Sequence, residues 1–97
     1  MKHIVIQNGY YADIIVIPDR IAHRLNYYLK KFDNWIYDKS VDHKYWIYEN
    51  DKKVCVEMGA DVFVEYLNEF HIKSNEKAYV LKRDLLDYDK DLPILYF

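Results

Sequence analysis

Ile21, Leu25, Tyr28, Leu29, Phe32 and Ile36 recur at spacings of three and four residues, and no other feature of the chain restricts its folding as tightly. Such a repeat lines one side of a helix with apolar groups, so a helix starting after Pro18 and Asp19 and running to about Tyr37 is expected to bury that side. Aspartate caps a helix well, and proline cannot continue a central strand. The opposite side carries Arg20, His23, Arg24, Tyr27, Lys30 and Lys31. Gly59 then breaks a strand, and Val62, Phe63, Tyr66, Leu67 and Phe70 predict a second, shorter amphipathic helix from about Ala60 to His71. Leu25, Leu29, Phe32, Phe63 and Leu67 are the candidate core of the two helices.

Those stripes need a sheet to cover. Ile4, Val5 and Ile6 lie on one side of Asn8-Gly9, and Ile14 to Ile17 on the other, the pattern of a β-hairpin. A two-residue Asn8-Gly9 turn would set Asp13 opposite Ile4. A loop from Asn8 to Asp13 instead pairs Ile6 with Ile15 and Ile4 with Ile17, and is the preferred reading; it leaves Tyr10 and Tyr11 at the tip. Tyr45 to Tyr48, the turn Asn50-Asp51 and Val54 to Val56 predict a second hairpin. With a two-residue turn, Ile47 pairs with Val54 and Tyr45 with Val56 on the core face, while Trp46, Tyr48, Lys53, Cys55 and Glu57 share the other. Tyr79 to Leu81 and Pro93 to Phe97 read as further strands. The expected fold is α+β: a mainly antiparallel sheet from two hairpins plus C-terminal strands, with two amphipathic helices on one face, in the order ββαββαβ(β).

Ninety-seven residues, 52% of them hydrophobic and only two of them glycine, suit a single globular domain spanning 1–97. The first residues form an apolar run too short for a signal peptide, and no apolar stretch reaches the length of a bilayer. Cys55 is the only cysteine, so no internal disulfide can form and a reducing, cytoplasmic setting is expected. The heavy use of lysine, isoleucine, tyrosine, asparagine and aspartate suits AT-rich genes such as those of some bacteria and phages.

Chemical motifs are missing. His3, His23, His43 and His71 do not stand at zinc-site spacings, and a lone cysteine supplies no second thiolate. Asp84, Asp87, Asp89 and Asp91 alternate like calcium ligands, but lack the glycine and closing glutamate of such a loop and read as an exposed acidic turn. With no nucleophile elbow and no glycine-rich phosphate loop, the chain is expected to be no enzyme and to hold no cofactor or metal.

What it has in excess is ring area: eleven tyrosines and two tryptophans, more than one small core can bury. Amphipathic rings are favoured at protein contact surfaces, so Tyr10, Tyr11, Trp46 and Tyr48 are candidate anchors for a protein partner. Residues 1–40 hold six basic and four acidic side chains and residues 41–97 eight and twelve, giving +2 and −4. Glu65 and Glu69 on the second helix would therefore steer a basic partner. The expected function is a small protein-binding module, an inhibitor or neutraliser in the manner of immunity proteins, antitoxins or phage antagonists. The alternative is nucleic-acid binding or regulation through Arg20, Arg24, Tyr27, Lys30 and Lys31, against which stands a net charge of −2. A homomeric assembly is the third reading.

Overall fold

The computed structural model describes residues 1–73 and 75–97. Its central sheet has four strands, which lie in the order Tyr79–Leu85, Tyr11–Ile17, Lys2–Asn8 and Ile94–Tyr96. Strand β1 (Lys2–Asn8) and β2 (Tyr11–Ile17) form the first hairpin, β5 spans Tyr79–Leu85 and β6 spans Ile94–Tyr96. Ile4 pairs with Ile15 and Asn8 with Tyr11, so the loop is Gly9-Tyr10 and neither anticipated register is formed. Gly9 has φ 68°, the left-handed value that a tight hairpin asks of its first central residue. The face assignment survives because the actual register differs from the preferred one by two positions in total, an even shift. Ile4, Ile6, Ile15 and Ile17 all point into the main core.

Strand β6 runs parallel to β1, whereas β5 lies antiparallel to β2 with two irregularities in register. The far face of this sheet is also covered. Val5, Ala12 and Ile14 are buried there by Leu85, Tyr88, Leu92 and Ile94, so the segment after β5 acts as a lid on the second face. Its aspartates behave as turn residues: Asp87 Oδ1 accepts the Tyr88 N–H at 2.9 Å, and Asp89 Oδ1 accepts the Asp91 N–H at 2.9 Å.

The long first helix is not continuous. It divides into α1 (Asp19–Ala22) and α2 (Leu25–Ile36), because Arg24 leaves helical geometry at φ −126°, ψ 40°. Periodicity is blind to such a break, since Ile21 still packs in the same core as Phe32 and Ile36 on either side of it. Phe32, Phe63 and Leu67 are fully buried, while Leu25 and Leu29 lie half-buried against the core margin. The third helix, α3 (Ala60–Phe70), matches its expected span closely. Its first turn is tied to β5 by a two-pronged ion pair, Arg83 to Asp61 at 2.5 and 2.8 Å, which holds the Asp61 carboxyl below its usual range.

Strands β3 (Trp46–Glu49) and β4 (Lys52–Val56) form the second hairpin as a separate sheet of two strands, not as part of the main one. The turn is Asn50-Asp51, both at positive φ of 52° and 63°. From there the register is as expected for Glu49 with Lys52 and Tyr48 with Lys53, and then it slips: Ile47 pairs with Cys55 and Trp46 with Val56. Val54 is the extra residue of a β-bulge, which shifts every later pair by one. Ile47 and Val54 therefore lie exposed and not on a core face, while Trp46 is only 8% exposed. The fold is α+β, with three helices, a four-stranded sheet and a two-stranded one among the described residues. No helix among the described residues is long and apolar enough to cross a membrane.

Candidate binding groove

The segment between α2 and β3 is built as a fixed wall. Asp38 Oδ1 accepts from the Ser40 N–H at 3.0 Å and the Ser40 hydroxyl at 2.7 Å, closing a local turn. His43 then acts as a staple: its Nε2 lies 2.8 Å from the Ile36 carbonyl, and its Nδ1 accepts the Tyr45 N–H at 3.2 Å. That pair of contacts requires the tautomer protonated at Nε2. The imidazole is stacked on Trp46, with centroids 5.0 Å apart and planes within 6°, and its centroid lies 4.6 Å from that of Trp35. Trp46 in turn donates through Nε1 to the Val41 carbonyl at 2.7 Å. Lys53 reaches back from β4 to the Lys39 carbonyl at 2.6 Å and to the Asp42 carboxylate.

Opposite this wall runs the outer side of α3. Asn68 grips the chain before β5 from both of its amide atoms, donating to the Ala78 carbonyl at 2.9 Å and accepting the Ala78 N–H at 2.8 Å. Between wall and helix lies a groove of about 790 Å³, with Trp35, Val41, Tyr45 and Phe70 as apolar surface and Asp42, Glu65 and Glu69 as acidic groups. A concave, mainly apolar cleft with a few convergent polar groups is the usual form of a binding site. Trp35 and Phe70 meet edge to face at 5.3 Å.

Its charges are unequally engaged. Glu65 is held by Lys44 at 3.2 Å and by the Tyr45 hydroxyl, and Asp42 by Lys53, which keeps that carboxyl below its usual range. Lys77, the other lysine of the groove, is turned onto the Ile72 and Asn68 carbonyls. Among the described residues Glu69 forms no ion pair, so its carboxylate is the one left open beside the exposed Phe70 ring. An aromatic wall with a free carboxylate attracts a cation that also carries apolar surface.

Of the anticipated anchors, Glu65 and Glu69 come together here. Trp46 does not serve as an uncovered ring: the bulge at Val54 turns it inward, behind His43, where it braces the wall. Tyr48 stays exposed on the hairpin. Tyr10, 90% exposed, and Tyr11 stand at the β1–β2 turn of the main sheet. Register sets two unanticipated apolar residues nearby: Leu86 follows Leu85, the partner of Ala12, and Tyr96 pairs with Gln7. They are 77% and 73% exposed. Strand pairing alone could have revealed them, but pairing was what the sequence left open. Phe70 was missed as a site residue because its spacing assigned it to the buried stripe.

The basic side of α1 and α2 is exposed as anticipated, with Arg20, Arg24, Lys30 and Lys31 all at the surface. Tyr27, its ring, is already occupied: the Arg24 guanidinium lies 4.0 Å from its centroid and Lys31 Nζ 5.2 Å. Arg20 donates to the His71 carbonyl. No protein-family model matches the chain, and neither curated proteins nor solved structures give a match.

Proposed function

We propose that the chain is a small cytoplasmic protein-binding module that neutralises another protein by occupying it, as immunity proteins, antitoxins and phage-encoded antagonists do. The observation that carries this reading is the open Glu69 carboxylate beside exposed Phe70 and half-buried Trp35, a groove suited to a lysine- or arginine-bearing segment of the partner. Buried aromatic contact supplies affinity in such interfaces, and the acidic rim speeds encounter. The fixed wall favours binding as well, since a groove held in shape loses little entropy when filled.

Capture of the partner from the cells that make this chain, followed by mass spectrometry, is the test. One protein should be enriched by the parent chain and lost with Phe70→Ala, a ring truncation worth about 2 kcal/mol or more at an interface centre. Glu69→Lys should slow association and reduce its salt dependence. A partner held equally well by both variants would rule the groove out, and attention would pass to Tyr10 and Tyr11.

A further inference from the structure

Among the described residues strand β4 has a neighbour on one side only, because its sheet contains β3 and nothing else. A two-stranded hairpin is marginal in water, and an open strand edge is a template for another strand. The side of the hairpin that packs onto the protein holds Trp46 and Val56. Ile47 and Cys55, opposite each other across the hairpin, are exposed together with the bulged Val54. Apolar surface and an unpaired edge therefore coincide, and none of these residues lines the groove.

The order of residues along β4 says what fits there. Lys52-Lys53-Val54-Cys55-Val56-Glu57 is basic at its start, apolar at its centre and acidic at its end. An antiparallel copy of the same strand sets centre on centre and each basic end against an acidic one, whereas a parallel copy opposes like charges. Lys52 and Glu57 are exposed, and among the described residues neither forms an ion pair, while Lys53 is already engaged by Asp42. The Glu57 N–H turns inward to the Tyr45 carbonyl at 2.9 Å. Alternation along the strand then turns the Val56 backbone to the open edge and makes Cys55 a non-hydrogen-bonded position there, where facing side chains approach most closely.

We propose that this chain forms a two-fold symmetric homodimer in which β4 pairs antiparallel with β4 of a second copy, Cys55 facing Cys55 at the axis. The two hairpins become one four-stranded sheet, and the contact is isologous and closed, so it stops at two copies.

Sedimentation of the purified chain over a concentration series, under reducing conditions, tests this directly. A reversible monomer–dimer equilibrium is expected. Val54→Lys, which places like charges near the axis, should abolish it. Lys52→Glu or Glu57→Lys alone should weaken it by about tenfold, and the two together should restore it. Melting curves show that each variant is folded, and the exposed Lys52 and Glu57 sites keep the test open if Val54→Lys does not fold. Diamide gives the geometry: two facing thiols lose two protons and two electrons to it, a sulfur–sulfur bond forms, and diamide leaves as its hydrazine. Rapid cross-linking of the parent through Cys55, and slow cross-linking of Val54→Lys, is the expected result. A chain that sediments as a monomer at every concentration, or a dimer that survives Val54→Lys or resists diamide, overturns the proposal.

Discussion

The Tyr66 hydroxyl lies 2.8 Å from Nε2 of His71, joining the last two turns of α3 to the residue that ends it. Burial pushes the Tyr66 phenol up to about 12, so it remains a donor across the working pH range. Burial also lowers the His71 pKa, and the nearby Lys31 and Arg20 charges add to it. Both shifts favour a neutral imidazole that accepts from the phenol. Since the native value is below the ordinary 6.5, the unfolded chain takes up this proton first as the pH falls. The contribution of His71 to stability is therefore complete above 6.5 and declines as pH drops toward the native pKa, below which it levels off. His71→Phe should lower the melting temperature at pH 8 through the lost hydrogen bond, yet flatten the decline that sets in as the pH falls below 6.5. A variant that retains the parent's slope would show that the pH dependence comes from elsewhere.

Phe32 sits where the helices meet the sheet. Its ring is fully buried, 5.2 Å from those of Phe63 and Tyr66 and 6.0 Å from that of Phe97. Phe32→Ala leaves a cavity bordered by those three rings and should cost about 3–5 kcal/mol in chemical denaturation. That is a large fraction of the stability of a small domain.

Trp46 offers an optical check on the wall of the groove. In Trp35→Phe, Trp46 is the only indole, and its shielding predicts weak quenching by iodide together with blue-shifted emission. Adding His43→Ala removes the ring stacked on it and the staple to Ile36, and should make the indole quenchable. Strong quenching before that second change would mean that the hairpin keeps an unbulged register.

The β3–β4 turn carries a correctable cost. Asn50 and Asp51 both have positive φ, which is a type I′ turn, and such turns prefer glycine at the second position. Asp51→Gly should raise stability by about 0.5–1 kcal/mol, since a left-handed conformation strains any residue with a Cβ. Thermal melting would detect it. A loss of stability would show that the aspartate side chain contributes to the turn.

The strongly periodic parts of this chain were legible in its sequence, and single-residue irregularities were not. Spacing alone located α3 within a residue at each end and identified Phe32, Phe63 and Leu67 as core. It could not see Arg24 leave the helix, because the apolar side resumes in phase beyond it. Val54 reads like any strand valine, yet as a bulge it exchanged the places of Ile47 and Trp46. The same limit explains the site. Glu65 and Glu69 were visible as a charged helix side, but the wall opposite them depends on His43, whose two hydrogen bonds fall in a segment without any period.

The parallel pairing of β1 with β6 gives the molecule a mechanical character. A force drawing the two ends of the chain apart pulls β1 and β6 along their length in opposite directions. The Val5 N–H bond to the Pro93 carbonyl and the Phe97 N–H bond to the Gln7 carbonyl, each 2.9 Å long, are then loaded in shear together and not opened one after another. A hairpin peeled from its tip yields rung by rung; this junction yields all at once. The short clamp between β1 and β6 makes the domain resist a pull applied along the line that joins those two strands' outer ends.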